Sequence, residues 1–104
     1  MSDFKWIVIM GVEEYRSDLN DIFLKSGVTI FSEVAVKGFR FTKSQMSSDS
    51  GVVSKMDPAY SVVSFALVEV LKAKNVLSEI ENFNKSQQRA KPLHAFQINV
   101  EAAV

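Results

Sequence analysis

The sequence predicts an α+β fold of the ferredoxin-like class: a β-α-β-β-α-β sandwich whose antiparallel four-stranded sheet carries two helices on one face. Three observations carry that expectation. Trp6-Ile7-Val8-Ile9-Met10 is an unbroken apolar run of the kind a central strand shows. Two later stretches repeat apolar residues at helical spacing, Tyr15, Leu19, Ile22 and Phe23 in the first and Val76, Leu77, Ile80 and Phe83 in the second. Towards the C-terminus His94, Phe96, Ile98 and Val100 alternate with Ala95, Gln97, Asn99 and Glu101, the period of two expected of a strand with one face on the core.

Length and composition bound the function. A chain of 104 residues predicts one domain over 1–104, with a single two-layer core. A hydrophobic fraction of 47% with 23% charged residues is ordinary for a folded domain and excludes disorder throughout. Twelve basic and twelve acidic side chains cancel, so no global field draws the chain onto nucleic acid or an anionic membrane. The absence of Cys removes disulfides, thiolate nucleophiles and Cys-based metal sites, and fits a reducing compartment. The N-terminal apolar block is too short to span a bilayer and lacks a leader's basic flank, so a cytoplasmic protein without membrane insertion is expected.

In chain order, the first strand ends at Gly11, and Glu13-Glu14 place negative charge where the next helix exposes unpaired N–H groups. Lys25 complements the other end of that helix, and Gly27 supplies a left-handed stop. From Gly27 to Phe41 the β-branched and aromatic content predicts a long second strand, in which Gly38 marks a place to bend or to admit a ligand against the backbone. Residues 42–51 have almost no apolar content, and a long exposed loop is expected over about 42–58, with Asp57-Pro58 as a turn. The third strand is expected from Tyr60 to Val68. A second helix follows over about 72–84, then a polar, basic connection from Lys85 that Pro92 terminates.

Gly27-Val28-Thr29, followed by Val36-Lys37-Gly38-Phe39 just before the long loop, resembles the PII nitrogen-regulatory signalling proteins. In that family a similar Gly-Ile-Thr and Val-Lys-Gly-Phe-Gly-Arg occupy the same strand and lead into the T-loop. The resemblance implies a homotrimer whose inter-subunit clefts take small effectors, commonly adenine nucleotides, and whose loop docks onto a transporter, enzyme or regulator. It places Thr29 near a nucleotide base and Lys37, Gly38 and Phe39 at the T-loop root. Two departures stand out. The family's Gly-Phe-Gly-Arg-Gln is replaced by Gly38-Phe39-Arg40-Phe41-Thr42, which shifts the arginine by one residue and so to the opposite face of a strand. The Thr-Gly-x-x-Gly-Asp-Gly-Lys loop before the last strand is absent, and 84–92, which stand in its place, contain no glycine to let the backbone wrap a phosphate chain.

Individual residues carry competing readings. Arg40 is a candidate anion ligand between subunits, or a solvated charge that guards a strand edge. Arg89 and Lys91, with Lys85, are candidates for the phosphate contacts that the glycine loop would make, or an ordinary solvated connection. His94, Met46 and Met56 are the only candidates for the alternative function, a metal-binding trimeric cation-tolerance protein of the CutA type; each has an equally simple packing role. An enzyme is the third class. Gly38-Phe39-Arg40 resembles the phosphate loop of acylphosphatases, but here it follows the second strand with no helix after it, and no nucleophile–base pair is present. The expected function is therefore a non-catalytic sensor in which a ligand at residues 37–40 changes the conformations open to the loop. Val and Phe on both alternations of the strands mark the helix-free sheet face as the expected trimer contact.

Overall fold

The computed structural model describes residues 3–44, 53–87 and 91–104, and within these the side chains outside 40–44, 53–58 and 87. β1 (Phe4–Val12) leads through a 3-10 turn (Glu13–Tyr15) into α1 (Arg16–Lys25); β2 (Ser32–Ser44), β3 (Val53–Glu69), α2 (Val70–Gln87) and β4 (His94–Asn99) follow. The sheet has the order β2-β3-β1-β4, with every neighbouring pair antiparallel. This is the ferredoxin-like α+β sandwich that the sequence predicts.

β1 is the inner strand its apolar run implies, paired with β3 on one edge and β4 on the other. Ile7 and Ile9 are fully buried beneath the helices, together with Val62, Ala66 and Val68 of β3. Leu19, Ile22 and Phe23 of α1 and Ala73, Val76 and Ile80 of α2 close the core from above. Tyr15 and Phe83 join the two helical segments edge to face at 5.3 Å. Between α2 and β4, the Asn84 side chain acts as a backbone surrogate: its Oδ1 accepts from Leu93 N at 2.8 Å and its Nδ2 donates to Leu93 O at 2.9 Å. That clamp seats Leu93, buried and in contact with Gly11, and aims the chain into β4.

Three boundaries and one strand face differ from expectation, each for a local physical reason. β2 starts at Ser32, not Gly27, because the intervening amides finish α1 instead. Ser26, Gly27 and Val28 all donate backbone bonds to the last carbonyls of the helix, with Gly27 at φ 83, and the Ser26 hydroxyl bonds Ile22 O. Val28 then tucks into the core and Phe31 stacks on Phe23 at 4.6 Å. Secondly, 42–44 and 53–58 are paired strand, not loop: Thr42 opposes Lys55 and Ser44 opposes Val53. Residues 45–52, including Met46, lie outside the described residues. Asp57 and Pro58 are strand residues opposite Arg40 and Phe39, in a part of β3 that pairs with β2 alone. A two-stranded arm leaves one side of β3 unpaired, and that is where a sheet tolerates proline.

Thirdly, α2 begins directly at Val70, whose N–H bonds Asp3 O at 3.0 Å, and runs through Lys85 and Ser86, where the sequence predicts a connection. Lastly, the alternation of β4 is correct but its faces are reversed. His94, Phe96 and Ile98 oppose Met10, Val8 and Trp6, on the side of the sheet away from the helices, while Ala95 packs towards the core. Phe96 and Ile98 remain 51% and 49% exposed. The narrow space beneath α2 takes alanine, and the large residues populate the open face.

The left-handed cap gives a direct test. Gly27→Ala forces a β-carbon into the φ 83 conformation and should destabilise the protein by about 1 kcal/mol. Chemical denaturation of the two proteins measures the difference.

Candidate functional site

The cap of α1 also builds a cleft. Because residues 26–28 are tied to the helix end, Thr29 and Ile30 stand out between the start of β1 and the end of β3. Thr29, Ile30, Phe4, Leu67, Glu69 and Lys72 line a depression of about 150 Å³. The Lys72 stem passes over Gly27, with its Cε 3.5 Å from where a β-carbon would stand. The cleft thus offers one hydroxyl, one ammonium, one carboxylate and apolar walls. It is smaller than the roughly 300–1,000 Å³ typical of small-molecule sites.

A second group of candidate residues lies further along β2. Lys37, Gly38 and Phe39 oppose Tyr60, Ala59 and Pro58. The Lys37 ammonium sits 5.6 Å from the Phe39 ring centroid and 5.8 Å from that of Tyr60, a cation flanked by two aromatic faces. Both rings are more than half exposed, Phe39 at 52% and Tyr60 at 59%. At Gly38 an added β-carbon would meet nothing closer than Ala59 O at 3.8 Å, so this stretch of backbone stays open to approach. Gly38 continues the ladder and makes no bend there.

The structure keeps these two groups apart within one chain. Lys37 is five residues beyond the first residue of β2, about 17 Å at the rise of a strand, and Thr29 lies before that strand begins. Arg40 is a backbone partner of Asp57, and its side chain lies outside the described set. Lys91 is exposed just before β4, and Arg89 lies outside the described residues. The sequence reading missed Lys72, Glu69 and Tyr60. Tyr60 became a partner of Lys37 only through the β2–β3 register, and Lys72 reached Thr29 only because α2 begins immediately after β3.

Of the candidate metal ligands, His94 is exposed on the open face opposite Met10, Met56 is a backbone partner of Phe41, and Met46 is not described. Among the described residues no three His, Asp or Glu side chains form a group suited to a metal. No helix among them is long and apolar enough to cross a membrane.

Solved structures share this architecture at low identity. GlnK of B. subtilis, in its ATP complex, is similar at a TM-score of 0.69 and 14% identity, over 95% of this chain and 87% of that one. The chain has the PII-like fold. CPII, a nitrogen regulatory PII-like protein from Thiomonas intermedia bound to ADP, AMP and bicarbonate, is similar at a TM-score of 0.57 and 14% identity, over 97% of this chain and 96% of that one. The divalent cation tolerance protein CutA from Archaeoglobus fulgidus is similar at 0.59 and 14% identity, over 97% and 87% of the two chains. No protein-family model and no curated protein matches the sequence.

The Lys37 group lies on the β2–β3 arm, outside the core cluster. Lys37→Ala should change stability by less than about 1 kcal/mol, the scale of an exposed cation–π contact. A larger loss in denaturant titration would assign Lys37 to holding the arm together.

Proposed function

We propose that the protein is a non-catalytic regulator of the PII-like type, acting as a homotrimer. A small effector of the adenine-nucleotide class binds between subunits, with Thr29 on one wall and Lys37, Gly38, Phe39 and Arg40 on the other. Arg89 and Lys91 supply charge to the phosphates where a glycine loop is lacking. The observation that carries this reading is the division of the site: a small cleft at Thr29, lined by Leu67 of β3, and a cationic aromatic group at Tyr60, about 23 Å earlier along that strand, each incomplete alone. A second copy is the simplest way to complete both. The exposed apolar residues on the helix-free face supply the driving force for such an assembly.

The arm gives the mechanism. An effector held at Lys37 to Arg40 restricts the β2–β3 arm at its root, and so selects among the conformations it presents to a transporter or metabolic enzyme in the cytoplasm. Likeness to GlnK and CPII, solved with adenine nucleotides, supports this reading. Likeness to CutA favours a second one, a trimeric metal-handling protein, with His94 and the methionines as its ligands.

Light scattering and thermal melting with and without ATP, ADP, AMP or divalent metals test both. The expected mass is about three times 11.6 kDa. A nucleotide at a hundred times its dissociation constant should stabilise the native state by about 2.7 kcal/mol. Thr29→Ala and Lys37→Ala should each reduce that gain. Stabilisation by metal alone would favour the CutA-type reading, and a monomer indifferent to every nucleotide would remove the cleft hypothesis.

A further inference from the structure

Two charged residues of the Thr29 cleft have no structural task. Glu69 is the last residue of β3 and pairs with Phe4, the first of β1, while Lys72 stands in the first turn of α2. No loop separates β3 from α2, and the bond from Val70 N–H to Asp3 O fixes the change of direction between them. A carboxylate and an ammonium three residues apart therefore line one depression with Thr29. Among the described residues neither side chain forms an ion pair or a hydrogen bond, with the other or with a third group. The Lys72 stem is instead laid along Gly27. Phe4, Ile30 and Leu67 supply apolar walls, of which Ile30 is 84% exposed in the single chain.

Resting on the nucleotide reading above, we infer that this cleft takes the base, with Glu69 as the residue that selects adenine and Lys72 as the one that fixes the ring. A depression of about 150 Å³ holds one part of a nucleotide and not the whole. The phosphates are not that part, because they would face the Glu69 carboxylate. A flat ring is: its faces suit the apolar walls, and its edge needs hydrogen bonds wherever it leaves water. Glu69 only accepts, Lys72 only donates, and the Thr29 hydroxyl can do either. Adenine shows a donor and an acceptor side by side, its 6-amino group and N7. The amino group donates to Glu69, and N7 accepts from Lys72. Guanine has an acceptor oxygen in place of that amino group, as does the hypoxanthine of ITP, and the oxygen would meet the carboxylate. The phosphates are left for the cationic group of a second copy.

Titration calorimetry with ATP, GTP and ITP tests the base, and the variants Glu69→Gln and Lys72→Met test the residues. Neither residue belongs to the core, and methionine keeps an apolar stem along Gly27, so both variants retain the fold. The unaltered protein should bind ATP roughly tenfold more tightly than GTP or ITP, the scale of one paired contact to a base edge. Glutamine can donate as well as accept, so Glu69→Gln should narrow that preference to within about threefold. Lys72→Met should weaken all three nucleotides alike, since every purine presents N7, and leave the preference in place. Equal affinity for the three in the unaltered protein, a preference that survives Glu69→Gln, or undiminished binding by Lys72→Met would overturn the inference and leave a nucleotide sensor standing. Binding of none of them by the unaltered protein would overturn the nucleotide reading itself, and the inference with it.

Discussion

β1 is hydrogen-bonded along both edges, and the alternation of its side chains divides the molecule in two. Ile7 and Ile9 enter the space under the helices, where burial removes them wholly from water. Each such side chain contributes about 1.5–3 kcal/mol relative to leaving it exposed. Trp6, Val8 and Met10 point the other way and set the register of a second apolar layer: Trp6 lies beside Phe65 at 5.3 Å, and Phe96 and Ile98 of β4 join from the far edge. Shifting β1 by one residue would exchange the two sets, so the pairing of this strand specifies which face the helices cover.

The two faces then differ in kind. The helix side is closed by the stripes of α1 and α2, with small residues such as Ala66 and Ala73 where the layers approach. The open side keeps large apolar residues about half exposed in the single chain. A soluble monomer rarely presents such an area without a use for it. The β2–β3 arm extends the same sheet beyond the third strand, and a two-stranded ribbon of this kind draws its order from the strands it continues. Lys37 stands where the sheet narrows from three strands to two. The residues 26–30 link serves twice: its amides finish α1, and those same bonds hold Thr29 out in the cleft.

Much of the fold was legible in the sequence because the apolar periods are unambiguous. The run from Trp6 to Met10, the stripes of α1 and α2 and the alternation of β4 each correspond to an observed element. The ferredoxin-like architecture followed from their order, while the PII-like resemblance rested on Gly27-Val28-Thr29 and Val36-Lys37-Gly38-Phe39; the likeness to GlnK and CPII bears out the fold. Boundaries were less legible wherever two local preferences competed. Val28-Thr29-Ile30 is rich in strand formers, yet the hydrogen bonds that close α1 take the Val28 amide first. Polar residues at Thr42, Lys55 and Asp57 resemble a loop, yet cross-strand pairing in a solvated ribbon places no demand for apolar side chains.

By itself the sequence determined the order of elements, the turn at Gly27, and the segregation of helix stripes from strand alternations, since these depend on residues close in the chain. Only the tertiary structure decided which face each alternation would occupy. His94, Phe96 and Ile98 were legible as one face, but the register with β1 turned that face away from the core. Likewise Lys72 beside Thr29, Tyr60 beside Lys37, and Glu33 between Arg16 and Ser64 are products of pairing and packing. Local pattern carries no information on partners dozens of residues away, because only the cross-strand register and the seating of the helices on the sheet bring them into reach.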